Sequence, residues 1–234
     1  MPYVDHARKE LRFKIVYYGP GLGGKTTNLE YIHSKTKPAR RGKLIALNTE
    51  AERTLFFDLL PMEIGSYRGY RVRVHLCTVP GQIAYDKTRQ LVLRHVDGVV
   101  FVVDSQPARI DDNLESMRNL EGNLRKQGDD VGKMPMVVQY NKRDLPGASS
   151  VTELRDQLSI HDGVAQIEAC ATEGKGVFQT FKEIAKACID VVGDPTEAPQ
   201  GRVSSIMPGK RSSMFPNAPQ AGSDIPSAPP VPKV

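Results

Sequence analysis

A lysine and a threonine follow a run of glycines in GPGLGGKT, residues 19–26, directly after the apolar run FKIVYY. Gly19, four further residues, Gly24, Lys25 and Thr26 match the spacing at which backbone N–H groups converge on phosphate oxygens at a helix start. A Cβ on the turning residues would block that approach. In such a seat the backbone of Gly19, Gly21, Leu22, Gly23 and Gly24 surrounds the phosphates, with Thr27 the last contact on the helix. Lys25 then neutralises the β- and γ-phosphates, and the Thr26 hydroxyl coordinates the accompanying magnesium. By itself the loop does not separate ATP from GTP, or a switch from a kinase.

The choice of base comes from residues 141–144, NKRD, which follow the strand-like MPMVVQY. A carboxylate at Asp144, closing the stretch that begins with Asn141 and Lys142, can accept both N1–H and N2–H₂ of guanine. Adenine has no such pair of donors and would leave the carboxylate unsatisfied. The pattern therefore implies GTP and GDP as ligands.

Positioning these groups requires strands that end beside one another. LRFKIVYY, GKLIALNT, RVRVHLCT, DGVVFVVDS and MPMVVQYN read as strands, alternating with helical segments after the loop, around Gln90 and from Asp111. Near-continuous apolar runs such as VVFVV suit strands covered on both faces, whereas the alternation in RVRVHL suits a strand nearer the edge. Leu114, Met117, Leu120 and Leu124 share one helical face, as do Val177, Phe181, Ile184, Cys188 and Val191. The expected fold is α/β: a P-loop NTPase with a doubly wound, mostly parallel sheet, helices on both faces, and ligand at the carboxyl ends of the strands.

The 234 residues divide by composition into one globular domain, residues 1–194, and a proline- and serine-rich tail, 195–234, too poor in apolar residues to offset its ordering entropy. The formal charge of +5 is spread out, with Arg40, Arg41 and Lys43 reading as solvated face, and implies no nucleic-acid partner. Cys77, Cys170 and Cys188 lack metal or disulfide spacing and read as buried thiols in a reducing cytosol. No apolar run approaches the ~20 residues that span a bilayer. MPYVDHARKE has no signal-peptide core, Pro2 excludes the myristoylation pattern, and PPVPKV offers no cysteine to prenylate. The expectation is a cytoplasmic protein without integral membrane association.

GPGLGGKT, TVPGQ and NKRD together resemble a Ras-like small GTPase. KIVYYGPGLGGKTTNLEYI, RTLFFDLLP, HLCTVPGQ, DGVVFVVDSQ and QYNKRDLP are similar, more narrowly, to the MglA-type (mutual gliding motility) bacterial GTPases, which set cell polarity and drive motility. The likeness runs from about Phe13 to Val192 and leaves out the tail. It implies that Thr54 is the first switch threonine and a magnesium ligand beside Thr26. It also implies that Gly81 lies at the nucleotide, that Gln82 orients the attacking water, and that Arg53 is an arginine finger carried in cis. Ala171, in CATEGKGV, would offer its N–H to the guanine carbonyl.

Thr78 stands where most small GTPases carry a magnesium-supporting aspartate, a departure this family shares, with Asp58 or Glu50 as candidates to compensate. The implied partners are a Roadblock-fold activating protein and polarity or motility effectors, with recruitment to a cell pole. Two rival readings stay open: a pseudo-GTPase scaffold that binds GTP without turnover, and a P-loop ATPase or nucleotide kinase, against which NKRD argues. The tail segment PSAPPVPKV reads as a bare extension or a polyproline docking segment.

Overall fold

The glycine loop leaves the end of a strand that is buried along most of its length, and the neighbouring strands stop at the same level. A computed structural model describes residues 2–47, 57–82, 85–129 and 131–197. Its strands are β1 (Tyr3–Asp5), β2 (Glu10–Tyr18), β3 (Ile45–Leu47), β4 (Phe57–Tyr67), β5 (Tyr70–Thr78), β6 (Gly98–Asp104), β7 (Met136–Asn141) and β8 (Ala165–Glu168). Its α-helices are α1 (Lys25–Lys35), α2 (Asp86–Leu93), α3 (Ile110–Lys126), α4 (Val151–Gln157) and α5 (Val177–Val192).

The sheet runs β3-β4-β5-β2-β6-β7-β8, with β1 beside the start of β2. From β5 to β8 the pairs are parallel. β3, β4 and β5 are joined antiparallel and extend one edge. The registers pair Tyr17 with Thr78, Tyr18 with Phe101 and Asp104 with Asn141. The carboxyl ends of β2, β5, β6 and β7 therefore meet at one rim, where a ligand of such a sheet is expected.

Both faces of the parallel part are covered. β6 is buried at every residue: Val100 and Val102 join the core under α1 and α5, while Val99, Phe101 and Val103 join the one under α2, α3 and α4. The α3 stripe packs as expected, with Met117, Leu120 and Leu124 buried and Leu114 partly so. In α5, Val177, Phe181, Ile184 and Cys188 are buried, but Val191 is 54% exposed. In that last turn Ile189 and Val192 face the core instead.

Two strand readings are corrected. β5 is an interior strand, between β4 and β2. Its alternation arises because Val72, Val74 and Leu76 face the core under α1 and α5, while Arg71 is exposed and Arg73 and His75 are only half-buried on the other face. The sequence reading also missed β4, an 11-residue strand whose regularity Pro61 and the register shift between Glu63 and Gly65 disguise. Pro61 is tolerated because it lies past the residues of β4 that pair with β3, and its carbonyl faces Gly42, whose N–H it accepts at 2.8 Å, so the donor it lacks is on that side and not in the ladder to β5.

Candidate active site

The phosphate loop turns between β2 and α1 through backbone angles that fix its composition. Gly24 has φ 97°, and a Cβ there would overlap the Asn141 side-chain amide. Leu22 sits at φ 62° with its side chain 88% exposed, so it can serve the loop only through its backbone. Lys25 is buried, and its ammonium donates to the carbonyls of Gly19 at 3.0 Å and Pro20 at 2.6 Å. Burial, and after it the nearby Arg89, pushes its pKa down to about 7, against an opposing pull from Asp58. Burial thus disfavours the charged form of Lys25, and an anion in the glycine loop would restore it.

The side of the loop that the sequence analysis assigns to magnesium is built by an element that the sequence did not disclose. Antiparallel pairing of β4 with β5 sets Asp58 beside Thr78, whose hydroxyl donates to Asp58 Oδ2 at 2.8 Å. Asp58 N–H returns a bond to Thr78 Oγ1 at 2.9 Å. The Thr26 hydroxyl donates to the same Oδ2 at 2.7 Å. Of the two candidates to compensate for Thr78, Asp58 thus lies at the loop threonine; Glu50 lies outside the described residues.

On the base side, Asn141 ties two loops together. Its amide donates to the Gly23 carbonyl at 2.9 Å, and its Oδ1 accepts from Ala171 N–H at 2.9 Å. The N–H expected to meet a guanine carbonyl is here donated to Asn141. Lys142, at φ 64°, donates to the fully buried Asp104 at 2.6 Å. Asp144 is exposed and accepts no hydrogen bond from the described residues, which leaves its carboxylate oxygens for a ligand.

Gly81 packs so closely on Gly21 that a Cβ on it would overlap the phosphate-loop backbone. Gln82 follows at the surface, where its carbonyl accepts from Tyr85 N–H at 3.3 Å. A cavity of about 310 Å³ opens here, lined by Pro20, Gly21, Gly81, Gln82, Arg89 and Arg109 among others. Arg53 and Thr54 lie outside the described residues, in the connection between β3 and β4. Thr27 begins α1 with Lys25 and Thr26.

Three participants were missed from sequence. Arg109 donates to the Gly21 carbonyl at 2.7 Å and pairs with Asp112 at 2.7 Å. Asp104 anchors Lys142. Its one sequence signal is a carboxylate closing the otherwise apolar VVFVV. Asn28 donates to the Gly24 carbonyl at 2.9 Å and to Gln139 at 2.9 Å, bracing the loop from behind.

Among the described residues no helix is long and apolar enough to cross a membrane. The sequence profile of the ADP-ribosylation factor family matches residues 4–188. The chain is 54% identical over 186 residues to the mutual gliding-motility protein MglA of Myxococcus xanthus, covering 80% of this chain and 95% of that one. It is 29% identical over 175 residues to human ADP-ribosylation factor-like protein 4C, covering 73% of this chain and 83% of that one. The glycine loop, the NKRD corner and the sheet topology agree with both likenesses, and the chain belongs to the ADP-ribosylation factor family of Ras-like small GTPases, as an MglA-type member that binds and hydrolyses GTP.

Proposed function

We propose that this GTPase is a molecular switch in the control of bacterial cell polarity and motility, binding effectors in its GTP state and releasing them in its GDP state. The support is its 54% identity to a protein named for mutual gliding motility, over 95% of that protein's length. Its activating protein would be of the Roadblock fold, its location the cytoplasm with recruitment to a cell pole. Capture of partners by protein loaded with GDP or with a non-hydrolysable GTP analogue tests the reading. Effectors retained only with the analogue are expected; the same set in both states would contradict a switch.

In this reading the N–H groups of the phosphate loop and Lys25 bind the phosphates, and Asp144, Asn141 and Lys142 select and frame guanine. Gln82 positions water, and Arg53 neutralises charge as the γ-phosphate departs. Magnesium, when bound, neutralises the β- and γ-phosphate oxygens. What supports this reading is the oxygen set of Thr26, Asp58 and Thr78, which suits a hard cation that takes most of its other ligands from water and phosphate. Among the described residues no group of three or more His, Cys, Asp or Glu gathers to hold a metal unaided. Thr54 would complete the set from the connection between β3 and β4.

Asp58→Asn is then expected to raise by about tenfold the magnesium concentration that halves the GDP release rate, since a supporting carboxylate typically tunes metal affinity by 10–100-fold. An unchanged midpoint in a magnesium titration of GDP release would remove Asp58 from the site.

The domain is proposed to end near residue 194, the rest being a tail with no part in folding; the family profile stops at residue 188. Residues 198–234 lie outside the described residues. Deleting 195–234 is expected to leave GTP affinity unchanged and to shift the melting temperature by less than about 5 °C. A larger drop would make the tail part of the fold.

A further inference from the structure

Arg89, in the middle of α2, is 1% exposed. Its Nε donates to the Pro80 carbonyl at 2.9 Å, one terminal nitrogen to the Gly81 carbonyl at 2.5 Å, and the other to Asn119 Oδ1 at 2.9 Å. The guanidinium stacks over the Tyr18 ring at 5.6 Å. Among the described residues no carboxylate pairs with it directly; Asp86 reaches it only through Asn119, whose amide donates to Asp86 at 2.8 Å. Burying a guanidinium against neutral oxygens alone is costly. If its task were only to fasten α2 to α3, the bonds from Asn119 and Asn123 to Asp86, each 2.8 Å, would already do so.

Two of its three hydrogen bonds go instead to consecutive peptides on either side of Gly81. Each peptide is planar and trans, so a carbonyl held by Arg89 turns the N–H of the same unit the opposite way. The guanidinium holds its donors in one rigid plane and so fixes the orientation of two such units at once, whereas a lysine ammonium, with freely rotating donors, can reach two carbonyls without imposing their orientation. We infer that Arg89 is a positioning residue for GTP hydrolysis: it sets the two peptide planes flanking Gly81, and with them the seat of Gly81 on Gly21 and the direction in which Gln82 leaves the loop. The inference rests on the reading of Gln82 as the residue that positions water and of Gly81 as lying at the nucleotide, which it narrows to the terminal phosphate.

The test is Arg89→Lys, which keeps the cation but removes the planar fork that spans the Pro80 and Gly81 carbonyls and Asn119 in fixed geometry. Three quantities are read: single-turnover GTP hydrolysis, affinity for GDP against a non-hydrolysable GTP analogue, and melting temperature. Hydrolysis is expected to fall about 10- to 100-fold, the range that small misplacements of reacting groups cost. GDP affinity should stay within about threefold of wild type, while affinity for the analogue falls further, because GDP lacks the phosphate Gly81 faces. Unchanged hydrolysis, or GDP and analogue affinities falling together with the melting temperature, would reduce Arg89 to a structural fastening and overturn the inference. Gln82→Ala, run alongside, separates the two claims. If it hydrolyses GTP like wild type, the reading of Gln82 fails, whereas the analogue-to-GDP ratio in Arg89→Lys still decides whether Arg89 sets the loop. Should Arg89→Lys not fold, Asn119→Ala, which unloads one edge of the guanidinium, reads the same ratio at smaller amplitude.

Discussion

With a saturating activating protein, Arg53→Ala and Gln82→Ala are each expected to lower GTP turnover by about 1,000-fold and to leave GTP affinity nearly intact. An arginine at the departing γ-phosphate is worth ~10³ to 10⁵ in rate when well placed. Neither group has much to gain in the bound ground state, so the loss should appear in kcat and not in affinity. In the proposed reading this chain supplies both residues, so the partner would have no need to insert an arginine; it would have only to hold the connection between β3 and β4 and the loop after Gly81 where the two groups meet the phosphate. Substituting the partner's own arginines should therefore cost little. Stimulated turnover of each variant at saturating partner is the measurement. Full stimulation of Arg53→Ala would make Arg53 a solvated loop residue.

What the sequence disclosed about this site is what short-range chemistry dictates. GPGLGGKT can be read because glycine spacing, a preceding apolar strand and a following helix are all local. NKRD can be read because one carboxylate at a strand end discriminates guanine from adenine. The contacts that join such pieces are long-range. Asn141 holds the Gly23 carbonyl across 118 residues, and nothing near either position announces the pairing. Asp58 could be named only as a candidate because its meeting with Thr26 and Thr78 depends on the antiparallel register of β4 and β5. β4 itself is masked by Pro61 and by the register shift near Gly65. Arg89 shows the opposite failure. In DKTRQLVL it looks like an ordinary solvated charge, yet it is among the largest fully buried side chains. At Thr78 the structure puts a carboxylate alongside from the neighbouring strand, Asp58, and the proposed magnesium reading takes it as the replacement for the one missing from β5.

Asp144→Asn is expected to lower GTP affinity by about 100-fold or more and to favour xanthosine triphosphate. In the structure Asp144 sits at the rim, just past β7, exposed, with both carboxylate oxygens free of protein donors among the described residues. Two charge-assisted hydrogen bonds to guanine N1–H and N2–H₂, each worth about 1.5–3 kcal/mol, account for a loss of that size at about 1.4 kcal/mol per tenfold. An asparagine amide donor facing the 2-amino group would repel it, while the 2-oxo group of xanthine would accept the same donor. Lys142 and its partner Asp104 should remain in place, so the variant ought to fold and to bind phosphates normally. The most direct measurement is competitive binding of GTP, ATP and xanthosine triphosphate to the wild type and to Asp144→Asn in the presence of magnesium. GTP should displace the others from the wild type, and xanthosine triphosphate should displace GTP from the variant. ATP binding the wild type as tightly as GTP, or a variant that still prefers GTP, would contradict a guanine pocket closed by Asp144.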